Sequence, residues 1–144
     1  MTAKKIQVKD KLEHQRLIKV VAFDLSKNVT KPHKHNGYLE LVFLSSTVGR
    51  HYIDGREIII STPCLLVIRK DNVHHWELAN PVKGFVLLLK DRFVDQSLDF
   101  EINRLVDEIS RFDTIYFKEA KTIENLLELL AVEENKICQE GLFK

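Results

Sequence analysis

The chain has 144 residues, 44% of them hydrophobic and 30% charged, with a formal net charge of +1. A chain of this length suits one domain that buries roughly two-thirds of its unfolded surface, and no run approaches the ~20 apolar residues of a membrane span. Near-neutral charge argues against a segment that grips nucleic acid by itself, and the polar start from Met1 to Lys11 has no signal-peptide core, so a cytoplasmic protein with no membrane partner is expected.

Taken in order, His14 falls in a polar segment and is expected to be solvated. Leu17 to Phe23 is an apolar, partly β-branched run that predicts a first strand. Asp24 to Pro32 holds Ser, Asn, Thr and Pro and suits an irregular connection, and the lysines between Lys27 and Lys34 are read as solvated. His33-Lys34-His35 follows, with two imidazoles on one face of an extended segment. The run Tyr38 to Ser45 is apolar on both faces apart from Glu40, which predicts a strand covered on both sides. Strict alternation would turn Glu40 away from His35 unless the chain is reset at Asn36-Gly37, where turn or bulge geometry is tolerated. A carboxylate among Leu, Val and Phe needs a partner, and the histidines are the nearest.

The clearest local signal is the hairpin His51-Tyr52-Ile53, Asp54-Gly55, Arg56 to Ile60, because Asp-Gly favours a tight type I′ turn. Cys64 to Ile68 predicts a further strand, Arg69 to Asn72 a turn, Val73 to Leu78 a strand with alternating character, and Gly84 to Leu89 a buried strand. Seven or eight short strands before Asp91, with no βαβ rhythm, predict an antiparallel sandwich or barrel. Cys64 and Cys138 stand alone and far apart, so buried structural thiols are expected rather than a disulfide or a zinc knuckle.

Beyond Asp91 the period changes. Phe93 to Phe112 predicts one or two amphipathic helices, Thr114 to Phe117 a short added strand, and Glu119 to about Ile137 a strong helix. On that last helix Ile123, Leu126, Leu127 and Leu130 form one apolar stripe, widened by Leu129 and Val132. Two readings stand for it: a homodimerisation face, or a cap over one open side of the sheet. Leu142-Phe143-Lys144 after the helix reads either as the edge of a longer protein or as a short native tail.

His33-x-His35, four residues and then Glu40 resembles the first motif of the cupin superfamily, and Leu65 to Trp76, which carries His74, resembles the second. The run from Lys31 to Trp76 is similar to the N-terminal sensor domain of AraC-type bacterial transcription regulators. Gly49 falls later than the cupin pattern places its closing glycine. The resemblance implies a mainly β fold: a cupin-like antiparallel β-barrel or jelly roll over residues 1–90 holding the effector pocket, with a C-terminal helical extension over 91–144. It also implies that DNA is contacted only through a helix-turn-helix domain absent from these residues.

Within that frame His33, His35, Glu40 and His74 make a ligand set of the kind that holds iron, manganese, zinc or nickel. If metal is bound, the chain is a small standalone metal-dependent cupin enzyme of oxygenase or isomerase type. The sensor resemblance instead implies a small-molecule effector such as a sugar, no required cofactor and no catalysis, with the divalent metal left as an open alternative. A third reading makes His33 and His35 partly exposed strand-end residues. Tyr38 and Trp76 are pocket-lining candidates that would stack on a sugar ring, set against ordinary core aromatics. His51 is a further pocket candidate from a neighbouring strand, whereas His75 should face away from His74. Arg69 is read either as meeting an acidic effector group or as an exposed turn residue.

Overall fold

The computed structural model describes residues 5–9 and 17–141, without the side chains of 137–141. His14 and the Cys138 side chain therefore lie outside the described residues. Nine strands precede Asp91 among the described residues: β1 (Gln7–Lys9), β2 (Ile18–Ala22), β3 (His33–His35), β4 (Tyr38–Ser46), β5 (Gly49–Ile53), β6 (Arg56–Ile59), β7 (Cys64–Ile68), β8 (His74–Leu78) and β9 (Lys83–Lys90). Helices α1 (Asp91–Asp95) and α2 (Phe100–Ile109), strand β10 (Thr114–Tyr116) and helix α3 (Lys121–Gly141) follow. The strand runs of the sequence recur within one or two residues, and the Phe93 to Phe112 segment resolves into two helices. β1 was not foreseen: it lies in the polar N-terminal stretch and exists only through its parallel pairing with β3.

These strands form two five-stranded sheets, the first in the order β1-β3-β8-β5-β6 and the second β10-β7-β4-β9-β2. All strand pairs but β1–β3 are antiparallel. The protein is mainly β, and the sheets remain separate rather than joining into a closed barrel. At the β5–β6 hairpin Asp54 and Gly55 have φ of 48° and 80°, the paired positive values a type I′ turn needs.

Strand β4 explains why its sequence is apolar throughout. Val42 and Leu44 point between the sheets, where they pack with Leu66, Ile68 and Trp76. Leu39 and Leu41 point the other way, onto Phe93, Val106 and Ile109 of the helical layer. Both faces of the strand are thus removed from water, and only its period-two pleat separates the two clusters.

The expected reset at Asn36-Gly37 takes a different form from a bulge. Gly37, at φ +71°, carries the chain from β3 in the first sheet to β4 in the second. The two sheets face each other, so Glu40 meets the histidines across the sandwich, and the parity argument within a single strand does not apply.

The helical layer is tied down at several points. Asp99 caps α2 by accepting from the Glu101 N–H. The Arg69 guanidinium donates to the Ser110 and Phe112 carbonyl oxygens and pairs with Asp113, which also pairs with Arg56. Burial pushes the Asp113 carboxyl up, but hydrogen bonds from Arg69 and Arg56 outweigh it and hold the group below its ordinary value. Arg69 is therefore a latch between the end of β7 and the α2–β10 connection, correcting the reading of it as an exposed or effector-binding turn residue. Helix α3 packs on β2 and β9, with Lys83 Nζ 3.4 Å from a Glu124 carboxylate oxygen. Ile123 and Leu127 of this helix are half-buried.

Candidate metal centre

Three strands converge between the sheets. β3 supplies His33 and His35, β8 supplies His74, and β4 supplies Glu40 from the opposite sheet. His74 is placed by two register pairs at once, opposite His33 on β3 and opposite Ile53 on β5. None of His33, His35, Glu40, His51 and His74 is more than 2% exposed. The reading of His33 and His35 as exposed strand-end residues is thereby excluded.

The nitrogens and oxygens meet at short range. His35 Nε2 lies 2.6 Å from Glu40 Oε2 and 2.9 Å from His74 Nε2, and His74 Nε2 lies 3.6 Å from Glu40 Oε2. The ligand atoms of His33, His35 and His74 all lie within 4.8 Å of one another. Each ring is held by its other nitrogen: His33 Nδ1 donates to the Lys31 carbonyl oxygen at 2.7 Å, His35 Nδ1 bonds Tyr38 Oη at 2.8 Å, and His74 Nδ1 bonds His51 Nε2 at 3.1 Å. With Nδ1 engaged, the Nε2 atom of each ring faces the common point, the arrangement by which outer partners fix metal-ligating histidines.

Burial sets the charge state of these rings. Desolvation lowers His33 to about 4, His51 to about 4 and His74 to about 2, with Glu40 opposing it only in part. Neutral imidazoles are the form a metal requires. The unfolded chain takes up protons near pH 6.5 and the folded one only well below, so their contribution to stability is present above pH 6.5 and lost as pH falls toward 4. In chelator-treated protein the unfolding free energy should be flat from pH 8 to 7 and fall steadily below 6.5, by up to about 2 kcal/mol per ring at pH 5, and the melting midpoint should fall with it. A midpoint unchanged between pH 7.5 and 5 would contradict this.

The residues present fit a divalent transition metal. Three imidazoles and one carboxylate are a borderline N/O donor set suited to manganese, iron, nickel or zinc. Two imidazole nitrogens each ~2.1 Å from one ion at a right angle stand ~3 Å apart, and His35 and His74 Nε2 are at 2.9 Å. His33 Nε2 is buried with no hydrogen-bond partner, a costly state that a bound cation would relieve.

Of the sequence candidates, His33, His35, Glu40 and His74 come together, with Tyr38 and His51 as direct partners of the rings. Trp76 flanks the cluster, its ring centroid 5.5 Å from that of His74, and its Nε1–H donates to the Lys27 carbonyl oxygen at 2.8 Å. His51, in the sequence a further pocket candidate from a neighbouring strand, is as buried as any of them. The signal that could have found it is its pairing with Trp76 across the β5–β8 register, two residues along from His74. His75 faces away, as alternation required, and stacks on Tyr52 with centroids 4.5 Å apart. Cys64 is buried, and burial raises its thiol to about 11.

The geometry thus defines a mainly β sandwich with a buried three-histidine, one-glutamate cluster. No protein-family model matches this chain, and no curated protein matches it either.

Proposed function

We propose that this chain is the effector-sensing and dimerising module of an AraC-type transcription regulator, built on a cupin-like jelly roll. One observation carries the reading: the first sheet turns its histidines inward onto Glu40 of the second, the second sheet carries a helical layer on its outer face, and the last helix leaves its apolar stripe uncovered. Leu126, Leu129 and Leu130 of α3 are 53%, 62% and 48% exposed, although Ile123 and Leu127 beside them are half-buried. A contiguous exposed apolar stripe on a helix is what a second copy would cover.

In this reading a small molecule enters between the sheets and favours one arrangement of β2, β4 and β9. α3, packed on β2 and β9, moves with them, and the geometry of the paired modules changes as a population shift. DNA is contacted by an attached helix-turn-helix part, which places the regulator in the cytoplasm. Sedimentation at micromolar concentrations tests the pairing. A dimer that becomes monomeric in Leu126→Glu/Leu130→Glu supports the proposal, and a monomer at every practical concentration removes its dimerising half.

A second reading is a metal-dependent cupin enzyme, favoured by the Nδ1 anchoring of all three histidines. A metal on His33, His35, Glu40 and His74 would supply Lewis-acid or oxygen-activating chemistry. In that case purification without chelator yields stoichiometric metal and the metal-loaded protein turns over a substrate. Metal bound without turnover leaves the sensor reading in place.

A further inference from the structure

A second recess lies beside the histidine cluster, at the open side of the sandwich under the edge strand β2. It is a cleft of about 410 Å³ with an apolar floor formed by Val21, Phe23, Trp76, Val86 and Leu88. Its volume falls in the range of small-ligand sites. Phe23 and Trp76 meet beneath it with ring centroids 5.6 Å apart and planes tilted by 45°, both buried in the floor.

The rim is cationic. Lys19 stands opposite Leu88 in the β2–β9 register, so both side chains leave the same face of the sheet, toward the cleft. Lys19 is half-buried, and neither it nor Lys27, the second lysine at the rim, forms an ion pair among the described residues. The acid nearby, Asp24, is occupied in the turn after β2, where it accepts from the Ser26 N–H at 3.0 Å and the Ser26 hydroxyl at 2.7 Å. A half-buried ammonium beside an apolar floor gains a charge-assisted hydrogen bond from an anion that brings its own apolar body.

We propose that this cleft binds a small amphipathic carboxylate, with its apolar part against Val21 and Val86, above the buried Trp76 and Phe23, and the carboxylate on Lys19. The inference deepens the sensor reading by naming the class of its effector. Leu88 pairs with Glu40 across β9 and β4, and the Trp76 ring is 5.5 Å from His74, so an occupant presses on the two side chains that wall off the cluster.

Trp76 is the protein's one tryptophan and reports from the cleft floor. Phenylacetate should change its emission saturably, and phenylacetamide, the neutral twin, should bind about tenfold more weakly or worse. Lys19→Gln should weaken phenylacetate by about tenfold while leaving phenylacetamide unaffected. Far-UV circular dichroism checks that this edge-strand variant folds, and equilibrium dialysis of labelled phenylacetate repeats the comparison without the fluorophore. No saturable binding by either method, equal affinity for acid and amide, or an unaffected Lys19→Gln protein would each overturn the proposal. The outcomes separate from those for the sensor reading. Binding by a strict monomer keeps the carboxylate site and loses the dimerising regulator, whereas a dimer without binding does the reverse.

Discussion

Chelator-treated protein should gain about 10 °C in melting midpoint when Mn2+, Co2+, Ni2+ or Zn2+ is added at a hundredfold its dissociation constant. At that ratio, binding to the folded state alone contributes about 2.7 kcal/mol, and a domain of this size converts each kcal/mol into roughly 4 °C. The gain rests on three imidazoles whose Nδ1 atoms are already engaged, leaving their Nε2 atoms and Glu40 Oε2 to the ion. His35→Ala and His74→Ala should each remove most of the gain. His75→Ala, stacked on Tyr52 away from the cluster, should keep it. Affinities should rise from Mn2+ to Ni2+, following the usual order for nitrogen-rich sites. The quantity to compare is the shift between metal-free and metal-loaded samples of each variant, because either histidine deletion also leaves a cavity. A shift absent with all four metals, or one that survives both deletions, would show that the cluster is a hydrogen-bonded core feature only.

Gly84→Ala should come close to unfolding the protein, at a cost of about 4 kcal/mol or more. Gly84 sits on β9 opposite Leu44, and a Cβ built there would stand 2.1 Å from the Phe43 backbone carbonyl oxygen. No side-chain rotation relieves a clash with backbone, so β4 and β9 must separate. They form the centre of the second sheet and hold Glu40, Val42 and Leu88 in place. The Gly84 carbonyl oxygen also accepts from the Phe23 N–H, so the disturbance reaches the floor of the cleft. Gly37→Ala is the control. A Cβ at Gly37 meets nothing within 4 Å, so only its positive φ is penalised, by about 1 kcal/mol. Urea midpoints measure both. If Gly84→Ala melted like Gly37→Ala, the register of β9 against β4 would have to be different.

What the sequence disclosed tracks how local each cause is. The Asp54-Gly55 turn and the strand from Cys64 to Ile68 depend on residues within a few positions of each other, and both were legible from composition alone. The convergence of His33, His35, Glu40 and His74 was legible only because two spaced motifs resemble a known pattern. Alternation by itself put Glu40 on the wrong side, since nothing local says that Gly37 hands the chain to another sheet. β1 was hidden because its partner β3 lies far along the chain and its own residues are polar. His51 and Arg69 were undervalued for the same reason. The partner of His51 is 23 residues away, and those of Arg69 are more than 40 residues away.

The crossing at Gly37 leaves His33, His35 and Glu40 within one short stretch of chain, and only His74 arrives from a distance. A denatured chain therefore keeps three donors close together, and an ion can be chelated there before any sheet has formed. Such early capture draws residues 33–40 into a loop around the ion and shortens the search that β8 must complete. It also subtracts from the thermal gain, because whatever the unfolded chain binds no longer counts in favour of the native one. The share of metal affinity that belongs to the fold is then the share that His74 brings.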